Sequence, residues 1–147
     1  MSHLVDITPS AEEQIEFHKI RELLAGYARG AFGHEACLKL HPMSDITDIQ
    51  YRLDQVYEYS EISALSERPQ LSAYEDVAES LDHLAIDGYV LPQEDIHEIG
   101  RQMEQVKLIH QFFSKPDTRR DYPEIFQWTL LAADPANLIK PIRAILD

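Results

Sequence analysis

Apolar residues along the chain recur mostly at steps of three and four, the spacing that places side chains on one face of a 3.6-residue helix. Ser10-Ala11-Glu12-Glu13 has the spacing of a capping box, which predicts a helix from about Ala11. Phe17, Ile20, Leu24 and Tyr27 give that helix an apolar face, and Gly30 is placed to end it. A second, short helix is predicted over about Ala31 to Leu40, with Phe32, Ala36, Cys37 and Leu40 on one side and His41-Pro42 as the stop. Asp45 is placed as the next cap, and Ile46, Ile49, Leu53 and Val56 form a seam on a third helix running to about Ser66. Val77, Leu81 and Leu84 mark a short fourth helix that ends at the Asp87-Gly88 turn.

The clearest pattern lies between Pro92 and Ser114, where Ile96, Ile99, Met103, Val106, His110 and Phe113 alternate steps of three and four. A heptad-like seam of this length predicts a contact with a partner helix, in this chain (the Ile46 to Val56 seam, for example) or in another. Lys115 to Asp121 reads as a charged loop, and Pro123 as the first position of a sixth helix. That helix carries Phe126, Leu130 and Ala133, with Ile125, Trp128 and Leu131 widening the apolar face. Asp134-Pro135 predicts one more start, and Pro141 a break near Ile139 before a last helix to the end. No segment sustains a period of two with β-branched residues. The predicted fold is all-α, an irregular bundle of six or seven helices, with residues 1–10 as a flexible lead and 11–147 as a single helical domain.

Composition narrows the function classes. At 44% hydrophobic and 27% charged residues the chain is too apolar for intrinsic disorder. Asp and Glu number 26 against 13 Lys and Arg, a formal net charge of −13, and such a field repels phosphate backbones. Direct binding of DNA or RNA is therefore not expected of these residues. A lone cysteine, Cys37, forms no internal disulfide and fits a reducing compartment. Met1 to Glu13 has neither a basic nor an apolar leader region, and no stretch reaches the ~20 apolar residues of a membrane span. A cytoplasmic protein without a membrane partner is the expectation.

Catalytic and metal motifs are weighed on the same footing. The five glycines, at 26, 30, 33, 88 and 100, form neither a P-loop nor a dinucleotide fingerprint, so no nucleotide site is expected here. Glu94-x-x-His97 is the pair used in di-iron bundles, but such sites need a second copy and two more Glu residues. His34, Cys37 and His41, at i, i+3 and i+7, make the best metal-like cluster, yet a structural zinc site needs four ligands and there is no second Cys. A small buried Cys between two surface histidines is the preferred reading. His110 reads as a histidine satisfied at a helix contact. Acidic runs such as Glu12-Glu13 and Gln93-Glu94-Asp95 fall at predicted helix starts, where they complement the dipole. No residue is assigned to catalysis, to a cofactor or to a metal.

One longer pattern does point to a family. Ile15-Glu16-Phe17-His18-Lys19-Ile20 is followed by Leu23-Leu24, Tyr27-Ala28, Gly33, Leu40 and Pro42, then by Asp45 to Leu53 and by the Leu84 to Leu91 turn with its following Pro-x-Glu. The chain closes on Ile142-Arg143-Ala144-Ile145-Leu146-Asp147. This order resembles the N-terminal helical core of bacterial MutS-family proteins, in the recombination-associated class that lacks a mismatch-recognition domain. The usual Leu-Glu-Phe-Asp-Lys-Ile is matched with His18 in place of the acidic residue.

The resemblance implies a fragment of a longer multidomain protein, a DNA mismatch repair or recombination-control ATPase. In that family a C-terminal ATPase, using ATP and Mg, drives dimeric clamping on DNA, and a nuclease module often follows. This segment would then be a non-catalytic part of the core and lever, carrying nucleotide state toward the clamp, with the Pro92 to Ser114 helix as its transmitting element. Its implied partners are the remaining domains of the same protein and a second copy in a homodimer, with DNA reached only through the parent. Exposed apolar surface is expected on the isolated segment. The alternative is a free-standing helical protein-interaction module, and a third reading is a metal-dependent enzyme on a helical bundle. Continuation of the reading frame into a phosphate-binding loop would favour the first and a stop codon the second, while stoichiometric zinc or iron would favour the third.

Overall fold

The structure is a computed structural model that describes residues 9–146. Among the described residues the fold is all-α, with nine helices and no strand, where the sequence pattern predicted six or seven helices. None of these helices is long and apolar enough to cross a membrane. The chain divides into two compact units, Met1–Leu53 and Asp54–Asp147, where the sequence pattern drew one helical domain. Of the predicted N-terminal lead, residues 1–8 lie outside the described residues, and Pro9 and Ser10 already belong to a helix.

In the first unit the single helix expected from Ala11 to Gly30 is two helices, α1 (Pro9–Gln14) and α2 (Phe17–Ala25). Glu16 separates them in the left-handed conformation, φ 55° and ψ 34°. Such a residue costs roughly 1–2 kcal/mol for an L side chain, and here its carboxylate is engaged by Lys19 Nζ at 2.6 Å. Ser10 lies inside α1 and so is not the predicted cap. Arg21 turns α2 about its axis, donating to Glu12 Oε2 at 3.2 Å and to the Leu40 carbonyl at 3.0 Å, while His41 Nδ1 lies 3.1 Å from Glu12 Oε1.

That clasp places Phe17, Arg21, Ala25 and Ala28 on the covered side of the helix and its turn, and leaves the predicted face of Ile20, Leu24 and Tyr27 exposed. Gly30 is extended and caps the start of α3 (Ala31–Leu38) instead of ending α2, which stops at Ala25 with Gly26 still right-handed. α3 packs against α2 where Ala28 meets Gly33, and Phe32, Ala36 and Leu40 are exposed in place of forming a buried side. α4 (Ile46–Ala64) begins as predicted, with Asp45 Oδ1 accepting the Thr47 and Asp48 amides at 2.8 and 3.1 Å.

In the second unit α4 does not bury the predicted seam. Val56 is exposed, as are Ile46 and Leu53 in the first unit, and the covered residues are Gln55, Glu58 and Ile62. The reason is a polar contact. The Glu58 carboxylate, 7% exposed, accepts the backbone N–H groups of Glu124 at 3.1 Å and Ile125 at 2.8 Å. It thereby caps α8 (Pro123–Thr129), whose first position is Pro123 as predicted. After α4 the chain runs without regular structure to α5 (Ala78–His83), then turns at Gly88, φ 78°, into α6 (Gln93–Phe112).

Residues 115–121, read as a loop, contain α7 (Pro116–Asp121), again with Pro at its start. Arg119 explains why this charged segment folds. Its guanidinium donates to the Phe113 and Ser114 carbonyls at the end of α6 and lies 5.3 Å over the Phe126 ring, which in turn meets Phe113 at 5.7 Å. Trp128, Leu130 and Leu131 of the predicted sixth-helix face are exposed. α9 (Ala136–Leu146) starts under Asp134, whose Oδ1 accepts the Ala136 amide at 2.9 Å. It runs through Pro141 without the expected break: the proline removes one N–H donor from the ladder, and Ile139, 4% exposed, ties the helix to α6.

Candidate functional site

Among the described residues, α6 carries an organised set of side-chain contacts on adjacent stripes. The seam read from the sequence is turned inward, with Ile99 and Phe113 buried and Ile96, Met103, Val106 and His110 half-buried. α6 packs against α9 of this chain, and the C-terminal end of the seam meets α8, where Phe113 lies 5.7 Å from Phe126.

One residue ahead of each of the first four seam positions stands a polar residue: Asp95, Glu98, Gln102 and Gln105, again at steps of three, four and three. This stripe holds the irregular segment between α4 and α5 and the first turn of α5. Gln105 Oε1 accepts the Ser72 amide at 2.8 Å, and Glu98 Oε1 accepts the Glu75 amide at 3.0 Å. Gln102 Nε2 donates to the Glu75 carbonyl at 2.7 Å and to Glu98 Oε1 at 2.9 Å, and Ser80 Oγ donates to Asp95 Oδ2 at 2.8 Å. As the segment advances from 72 to 80 its partners recede from 105 to 95, so it runs antiparallel to the helix. Partial burial pushes the Glu98 carboxyl up. Hydrogen bonds from Gln102, the Glu75 amide and Arg101 outweigh that, and its pKa lies below the ordinary value.

A third face of α6, carrying His97, Gly100, Arg101 and Glu104, forms a groove of about 260 Å³ with Ile139 and Ile142 of α9. The charges around it are paired on the spot: Arg101 with Glu98, and Glu104 with both Arg143 and Lys107.

The residues singled out in the sequence are dispersed. α3 ends at Leu38, so His41 leaves the i+7 register on which the His34, Cys37, His41 cluster depended, and its ring faces Glu12 instead. Cys37 is half-buried and His34 exposed. Glu94 is exposed in the first turn of α6, and His97 faces the α9 groove. His110 Nε2 lies 3.0 Å from the carbonyl of Ala132, in the turn between α8 and α9. Among the described residues no group of three or more His, Cys, Asp or Glu is placed to hold a metal ion. Sequence reading missed Glu58 and the Asp95 to Gln105 stripe. The stripe carried a legible signal, since its spacing repeats that of the apolar seam one position earlier.

No protein-family profile and no solved structure matches the chain. Curated relatives do. The endonuclease MutS2 of Bacillus velezensis is 32% identical over 101 residues, 69% of this chain and 13% of that protein. The endonuclease MutS2 of Latilactobacillus sakei is 31% identical over 111 residues, 76% of this chain and 14% of that protein. The putative endonuclease MutS2 of Bacillus subtilis is 29% identical over 134 residues, 90% of this chain and 17% of that protein. The matched region is thus a small part of each relative's length. Over most of its extent, this all-helical chain is homologous to a segment of the MutS2 proteins of the MutS family.

Proposed function

We propose that the chain is a non-catalytic helical segment of a MutS-family DNA repair or recombination-control ATPase, one that links nucleotide state to clamping on DNA. The observation that carries this reading is the match to MutS2 proteins over 69–90% of the chain but 13–17% of theirs. The fold is compatible with a mechanical role: α6 presents an apolar seam, a polar stripe and a groove on separate faces, so displacement of the helix would be felt by α9 and by the segment before α5 together. On this reading ATP and Mg are bound by other parts of the parent protein, DNA is gripped elsewhere, and the partners are the remaining domains and a second copy.

The test uses the full-length parent. Met103→Pro, which breaks α6 at mid-length, is expected to leave basal duplex affinity within about twofold while abolishing the change in affinity that a non-hydrolysable nucleotide produces. Met103→Ala is the milder control. An unchanged nucleotide response in the proline variant would sink the mechanical role. The 147-residue chain alone is expected neither to hydrolyse ATP nor to retain a DNA duplex at physiological salt. A second reading, a free-standing interaction module, draws on the exposed Ile20, Leu23, Leu24 and Tyr27 of α2 and its following turn. Full function in a gene that encodes this chain and nothing more would favour it.

A further inference from the structure

We propose that residues 69–77 form a releasable strap, an extended segment that leaves the polar stripe of α6 as one unit while the helix itself stays formed. The geometry separates the two structures cleanly. The α6 backbone is satisfied by its own helical ladder, and the strap contributes nothing to that ladder. The strap is outside any helix or sheet, and its Ser72 and Glu75 amides and Glu75 carbonyl are satisfied by side chains of α6. Undocking therefore breaks the side-chain bonds to α6 and uncovers the half-buried edge of the strap, and it leaves Glu98, Gln102 and Gln105 to water, which is cheap for polar groups that are already half-exposed.

The bonds are also coupled. Gln102 grips the Glu75 carbonyl and, with the same amide nitrogen, orients the Glu98 oxygen that takes the Glu75 amide. Loss of this one side chain loosens both the N–H and the C=O of Glu75. Pro69, Leu71, Tyr74 and Val77, interspersed with exposed positions, are the half-buried residues of the segment and give the strap one covered edge. Release uncovers a track on α6 whose acceptors and donor match the backbone of an extended chain in antiparallel register.

The experiment is native-state hydrogen exchange on the whole 147-residue chain, read by NMR. In the unaltered protein the Ser72 and Glu75 amides are expected to exchange at least about tenfold faster than those of Ile99, Met103 and Val106. Gln102→Ala is expected to speed both strap amides by about tenfold, including that of Ser72, which Gln102 does not touch, with α6 changed by less than about twofold. Gln105→Ala, made in parallel, is expected to speed Glu75 as well as its own partner Ser72. Strap amides as slow as those of mid-α6, acceleration of α6 together with the strap, or variants that affect only the amide they contact would each overturn the proposal.

Discussion

Replacing Glu58 with alanine probes the contact that set the orientation of α4 in the second unit. The carboxylate is buried at 7% exposure and receives two backbone N–H groups of α8, at 3.1 and 2.8 Å. A hydrogen bond to a charged group is worth about 1.5–3 kcal/mol net. Negative charge at a helix start adds about 0.3–1 kcal/mol. Glu124 and Ile125 are themselves only half-buried, so water recovers part of what the carboxylate gave up. A loss of about 2–4 kcal/mol is expected for Glu58→Ala, and about 1–2 kcal/mol for Glu58→Gln, which keeps one acceptor. With a urea slope of roughly 2 kcal/mol/M, the alanine variant unfolds at about 1–2 M less denaturant. Trp128, the chain's one tryptophan, sits on α8 and reports on that helix directly. Its fluorescence transition in Glu58→Ala is expected to precede the loss of helical circular dichroism. A stability within about 0.5 kcal/mol of the unaltered protein would show that α8 does not depend on Glu58, and the account of why α4 turns its polar side inward would fall with it.

Three further expectations concern single positions. Glu98 has a pKa below its ordinary value of 4.5, so the stability it lends the strap is present above that value and is lost as pH falls through the lower folded value. An NMR titration of the Glu75 amide should show a midpoint under 4.5, and Glu98→Gln should remove that step; a midpoint at or above 4.5 would contradict the hydrogen-bond assignment. Pro141→Ala gives α9 the N–H donor that the proline removes, and thermal unfolding should register a gain of about 1–3 kcal/mol. Gly88→Ala, at φ 78°, should cost about 1 kcal/mol, whereas Gly33→Ala, whose new methyl meets Ala28 at 3.5 Å, should be neutral or gain about 0.5 kcal/mol; equal effects at the two glycines would refute the backbone explanation.

The features legible in the sequence are those with local causes. Asp45 caps α4, Pro123 opens α8, Gly88 turns the chain and the α6 seam faces inward, because each needs only its immediate neighbours or a strong period. What escaped was set at a distance. Glu16 has no feature that marks it for a left-handed conformation, and Arg21 selected the buried side of α2 through Glu12 and the Leu40 carbonyl. Apolar periodicity favoured Ile46, Ile49, Leu53 and Val56 on α4, of which Ile49 alone is half-buried, but the buried residues are Gln55, Glu58 and Ile62. A charged run was read as loop where Arg119 could close the end of α6 and cover Phe126. The same limit applied to candidate chemistry. The His34, Cys37, His41 cluster assumed that a helix stopping at Leu38 ran on, while the working polar stripe of α6 lay one residue from a seam already identified.

The joint at Glu16 makes the first turn of the described chain a corner whose angle rests on one dihedral well and one ionic clasp. Were Glu16 to relax into the right-handed well, α1 and α2 would fuse into a straight rod, and Glu12 would be carried away from Arg21 and His41. The clasp of Glu12, Arg21 and His41 therefore holds this end of the molecule bent against the ordinary backbone preference of an L residue.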